Sequence, residues 1–258
     1  MVGAVGQRLV AALVVACALW AQPAAAAIAR VQTATAGTAN TSLLTLTATF
    51  GSSTTSGNTI VVCVRGANTG NNAKVSTVTD TLGTTYTLRA SDVSRDPYMW
   101  VYTGSPASSG SNAVSVTFDA TTVYSWVAAI EYSGVGSYQT ANANIGAAGS
   151  TDLQSASLTT SAAGLVVMAG SQNNLATYSA GTDFTFLTQV GGDVYLFGGV
   201  EEYITSGALS GYTAHLTSSV TDQWTAVTVA FAAAGGGGGG SFRCNNALTL
   251  LGVGCGGD

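Results

Sequence analysis

The chain has 258 residues, 47% of them hydrophobic and only 7% charged, with a formal net charge of −5. An ordinary soluble protein carries about 25% charged residues; the missing polarity is supplied here by Thr, Ser and Asn, which favour strands, turns and caps over long helices. The basic residues Arg30, Arg65, Lys74, Arg89, Arg95 and Arg243 are scattered singly, which excludes the basic patch that nucleic acid or an anionic membrane surface requires.

Residues 1–27 read as a secretory signal peptide. Arg8 supplies a positive start, Leu9 to Trp20 an apolar run, and Ala21 to Ala27 a small-residue cleavage zone. The apolar run is too short for a transmembrane span. A second reading stays open, because Val14-Val15-Ala16-Cys17 resembles a lipobox and would make a lipoprotein lipidated at Cys17.

From Ile28 the pattern is that of strands. In Leu44 to Phe50, Leu44, Leu46, Ala48 and Phe50 alternate with threonines, giving one dry and one wet face. Thr59 to Val64 is continuously apolar and predicts a central strand buried on both faces, with Cys63 as a small buried hydrophobe. Lys74 to Ala90 predicts a β-hairpin turning at Asp80-Thr81-Leu82-Gly83, with Asp bonding its own backbone and Gly supplying positive φ. In its second arm Thr85, Thr87 and Arg89 share a face.

Tyr98, Trp100 and Tyr102 then alternate with Met99 and Val101, and Val114, Val116 and Phe118 with Ala113, Ser115 and Thr117. Val123 to Tyr132 predicts a long central strand, and Gln139 to Thr151 a long exposed loop. Further strands are expected over Leu153–Thr160, Ala163–Ala169, Asp183–Gln189, Asp193–Tyr203, Leu209–Leu216 and Gln223–Phe231. Gly198-Gly199 marks a bulge or bend in one of them.

These are about thirteen to fifteen short strands with no amphipathic helix after the leader. They predict an all-β chain folded as a single antiparallel two-sheet β-sandwich of jelly-roll or concanavalin-like type, spanning residues 28–234. A glycine run, 235–240, forms a flexible linker. It leads to a tail, 241–258, in which Cys244 and Cys255 could close a disulfide loop in an oxidising compartment.

Val78-Thr79-Asp80-Thr81-Leu82-Gly83-Thr84-Thr85-Tyr86-Thr87, then Met99-Trp100-Val101-Tyr102, Val114-Ser115-Val116-Thr117-Phe118, Glu131-Tyr132-Ser133-Gly134-Val135, Gly164-Leu165-Val166 and finally Trp224 with Val229-Ala230-Phe231 follow one another in order. This series resembles a loosely characterised group of secreted bacterial and phage-associated β-sandwich domains with VTDSxGNTYT and EYSGV motifs. Thr84 departs from the group's usual Asn. The resemblance implies a jelly-roll sandwich in a surface or extracellular setting, with no assigned activity.

Candidate chemistry is sparse. The only histidine, His215, has no nucleophile elbow to serve, and one His without a Cys-x-x-Cys excludes the common zinc sites. Glycosidase chemistry needs two carboxylates, for which Glu131, Glu201 and Glu202 are the candidates, although adjacent Glu201 and Glu202 point to opposite faces of a strand. Asp80, Asp92 and Asp96 in neighbouring loops offer the hard oxygens that calcium needs, against their ordinary use in turns. The stripe Tyr98, Trp100 and Tyr102 would make a ligand-binding platform for sugar rings if exposed, or core packing if buried. The reading that follows is a secreted or cell-surface, non-catalytic binding or adhesion module for a carbohydrate or other neutral surface polymer. A glycan-active hydrolase or lyase and a structural surface or virion decoration protein are its alternatives.

Overall fold

The structure is a computed structural model that describes residues 27–67, 72–192 and 195–235. The predicted leader, most of the glycine linker and the Cys244–Cys255 tail lie outside the described residues. The described chain is all-β, with antiparallel sheets that do not close into a barrel. Its first half gives β1 (Ala29–Thr38), β2 (Leu43–Thr49), β3 (Thr59–Gly66), β4 (Val75–Asp80), β5 (Thr87–Asp92), β6 (Tyr98–Gly104), β7 (Ala113–Thr122) and β8 (Ser125–Ser133). The second half gives β9 (Val135–Gln154), β10 (Gly164–Gln172), β11 (Tyr178–Ala180), β12 (Thr185–Gly192), β13 (Tyr195–Thr205) and β14 (His215–Ala233).

The sandwich has three layers where two were expected. A central sheet of order β1-β8-β3-β6-β5 is covered on one face by β2-β7-β4 and on the other by β11-β14-β10-β13-β12, with β9 added along β14. The alternation of β3 explains the arrangement. Ile60, Val62 and Val64 pack with Leu46, Phe50, Val116 and Phe118 of the small sheet, whereas Val61 and Cys63 pack with Trp126, Leu165 and Val229 toward the large one. A strand with both faces in a core gains nothing from polar alternation, which is why Thr59–Val64 reads as a continuous apolar run. Each fully buried Ile or Val contributes roughly 1.5–3 kcal/mol relative to exposure. A third apolar cluster, including Leu153, Met168, Tyr178 and Leu216, fills the far face of the large sheet.

Three sequence expectations need correction. Lys74 to Ala90 is not a hairpin, because β4 pairs with β7 in the small sheet and β5 with β6 in the central one. Asp80 is the cause. Its Oδ1 accepts the amides of Leu82 (3.1 Å) and Thr84 (2.8 Å), and its Oδ2 accepts from the Tyr86 hydroxyl (3.0 Å) and Asn112 Nδ2 (2.9 Å). With Gly83 at φ +71°, these bonds stop β4 and turn the chain across to the next layer.

The stretch Gln139–Thr151 is not a loop but part of β9, paired along β14. Ala141 and Ala143 pack toward the core, while the Asn142 and Asn144 amides donate to the carbonyls of Ala156 (3.1 Å) and Gln154 (3.2 Å). Leu209–Leu216 forms a strand only from His215; Tyr212 makes an isolated bridge with Leu158. The expected bulge at the diglycine does occur. Val190 pairs with Gly198 and Gly191 with Leu196, so Phe197 is the extra residue.

Candidate functional site

The aromatic stripe turns inward. Tyr98 and Trp100 are buried, and Trp100 packs edge-on to Tyr98 (6.1 Å between ring centroids) and Phe118 (6.5 Å) beneath the small sheet. Tyr102 is half-buried against the same cluster. The platform reading fails because the small sheet covers the face that would have held a sugar.

The three candidate carboxylates come from two sheets, Glu131 from β8 of the central one and Glu201 and Glu202 from opposite faces of β13 in the large one. Glu131, fully buried on β8, accepts from Gln32 Nε2 (2.6 Å), the Thr55 amide (2.8 Å) and Asn58 Nδ2 (2.6 Å), and so anchors the loop after β2. Glu202 faces the central sheet, where its Oε1 meets Arg30 Nε at 3.4 Å and where burial and its own charge push the Tyr132 hydroxyl well above its usual range. Glu201, one residue away and on the opposite face, accepts the Gly181 amide at 3.0 Å. No two of them share a site. Among the described residues no group of three His, Cys, Asp or Glu side chains comes together as a metal site. Asp80 spends both oxygens on its turn, Asp92 caps Ser94 (2.9 Å to the amide), and Asp96 lies elsewhere, beside Arg65. His215 Nδ1 lies 3.0 Å from Asp152.

What the fold does assemble is a hydroxyl-lined groove where the edge strands β5 and β9 meet. Thr59, Thr85, Thr87 and Thr103 line a depression of about 250 Å³, with Arg89 and Tyr138 on its wall. Tyr138 is 41% exposed. Its ring meets Phe231 edge-on at 6.1 Å, and the Arg89 guanidinium lies 4.3 Å from its centroid. Arg89 Nε donates to Thr103 Oγ1 at 2.7 Å, which fixes the guanidinium over the ring. The groove floor needs Gly136, because a Cβ there would come within 2.8 Å of the Ala233 carbonyl.

Beyond Tyr138 a second depression of about 420 Å³ is lined by Ser137, Gln139 and Thr159 to Ser161. Gln139 Oε1 accepts the amides of Ser161 (2.6 Å) and Ala162 (3.2 Å), tying β9 to that wall. Tyr138 therefore stands as a partition between two polar hollows. Chemically the arrangement offers many hydroxyl donors and acceptors, one guanidinium and one amphipathic ring. Of these residues the sequence reading had singled out the shared face of Thr85, Thr87 and Arg89. It does not find Tyr138, because the register of β9 on β14 shifts at Gln139 and breaks the period-two alternation there. No family model matches the chain, and no curated protein and no solved structure matches it either.

Proposed function

We propose that the protein is a non-catalytic binding module that holds a neutral, polyhydroxylated polymer, a polysaccharide of a cell surface or matrix, across the groove at Tyr138. The exposed ring of Tyr138 carries this reading. A large aromatic surface left 41% exposed between two hydroxyl-lined hollows suits a sugar, whose C–H face stacks on the ring while its hydroxyls bond to the Thr walls and Arg89. The low charge favours a neutral partner, and the leader-like N-terminus and the resemblance to secreted surface domains fit an extracellular setting. The hydrolase or lyase alternative would need two carboxylates at one site, and the candidates Glu131, Glu201 and Glu202 lie apart. The test is a glycan array combined with pull-down on insoluble polysaccharides, with Tyr138→Ala as control. Retention lost in Tyr138→Ala at unchanged melting temperature supports the module; a blank array and pull-down favour the structural decoration alternative.

A further inference from the structure

Arg89 is the one charged residue among those lining the two hollows beside Tyr138. Its Nε is spent on Thr103 Oγ1 at 2.7 Å, and its guanidinium lies 4.3 Å from the Tyr138 ring centroid. These two contacts hold the planar group in one place. Nη1 and Nη2 bond no group among the described residues, yet neither is sealed from solvent. The fold thus presents two fixed cationic donors at the wall of an open groove of about 250 Å³.

Geometry and charge together select what meets them. A sugar hydroxyl is served as well by Thr59, Thr85, Thr87 or Thr103 on the same walls. A carboxylate is different. Its two oxygens match the guanidinium fork, and such charge-assisted bonds are about twice as strong as neutral ones. No acidic side chain lines either hollow, so none repels an incoming anion there. The guanidinium also covers one face of the Tyr138 ring. A sugar stacked on that ring therefore uses the other face, and the group at Nη1 and Nη2 belongs to the next sugar along the polymer.

We infer that the groove contains an acid subsite, in which Arg89 holds the carboxylate of a uronic acid sugar through Nη1 and Nη2 while the neighbouring neutral sugar stacks on Tyr138. This assignment rests on the proposed polymer-binding role of the groove, and it refines the polymer to a largely neutral chain that carries uronic acid residues.

The test is a heteronuclear NMR titration of the full chain with cellobiouronic acid and, in parallel, cellobiose, which differ only by a carboxylate in place of a hydroxymethyl group. Saturable shifts at Thr87, Thr103 and Tyr138 are expected, with the acid bound about tenfold tighter and the difference shrinking in high salt. Arg89→Gln removes the preference on this account, and Arg89→Lys, which keeps the charge without the fork, retains only part of it. Equal affinity for the two disaccharides, or a full preference in either folded variant, overturns the acid subsite and leaves the polymer groove standing. No saturation by either disaccharide overturns the subsite as well, and retention on insoluble polysaccharides then decides separately for the groove.

Discussion

Glu201 is a buried acid with one oxygen bonded to the Gly181 amide and the other, Oε1, without a donor. Burial lifts its carboxyl from 4.5 to about 8, and the Gly181 bond only partly offsets this. In the unfolded chain the group ionises near 4.5, whereas in the folded chain it holds its proton until about 8. Between those values the folded state binds more protons, so stability is greatest below pH 4.5 on this account and falls as pH rises, levelling above 8. At about 1.4 kcal/mol per pH unit, the full loss is on the order of 5 kcal/mol. Water entry on ionisation relaxes part of that, and about 2–5 kcal/mol is expected. Total stabilities are only about 5–15 kcal/mol, so the effect is large. Glu201→Gln keeps the shape and the Gly181 acceptor but cannot ionise. Urea unfolding followed by tryptophan fluorescence from pH 5 to pH 9 should show a falling midpoint for the wild type and a flatter profile for Glu201→Gln, the two diverging toward pH 9. Parallel profiles would refute the reasoning.

Trp100→Ala empties a core site and should cost about 3–5 kcal/mol in denaturant unfolding, with polymer retention unchanged in the folded fraction; loss of retention at full stability would restore the platform reading. Asp80→Ala strips the acceptor from two amides, a tyrosine hydroxyl and an Asn amide, and should cost about 2–4 kcal/mol. Burial opposes ionisation of Asp80, but these bonds outweigh it and hold its pKa below 3.8, so their contribution is present above that value and lost as pH falls below it. Cys63, with its thiol pushed up to about 12 by burial, should resist thiol reagents in the native protein and react only on unfolding; fast native labelling would contradict its packing.

The β class and most strand positions were legible because each strand's chemistry is local. Alternation in Leu46–Phe50 and Val114–Phe118, and the unbroken apolar runs of β3, β8 and β10, report burial directly; Leu44, expected on the same dry face, is 47% exposed because the register of β2 shifts between Leu43 and Thr45. Layer count was also present in those runs, since a sheet apolar on both faces needs two covering layers. What stayed hidden was long-range. Nothing local tells Asp80 to send the next strand to another sheet, because a carboxylate that begins a hairpin turn and one that begins a crossing look alike. β9 was misread because Ala and Asn bury through small volume and amide bonds to Ala156 and Gln154, not through bulk. The aromatic stripe, the strongest binding signal in the sequence, became core because the small sheet covers it. The candidate groove joins Thr59, Arg89, Thr103 and Tyr138 from four strands, and no sequence spacing relates them.

Isothermal titration of the full chain with the polysaccharide that the array selects, wild type against Tyr138→Ala, tests the binding-module reading most directly. The account predicts an affinity about tenfold or more weaker in Tyr138→Ala, equivalent to about 1.4 kcal/mol, at unchanged melting temperature. Equal affinity in the two proteins would contradict it.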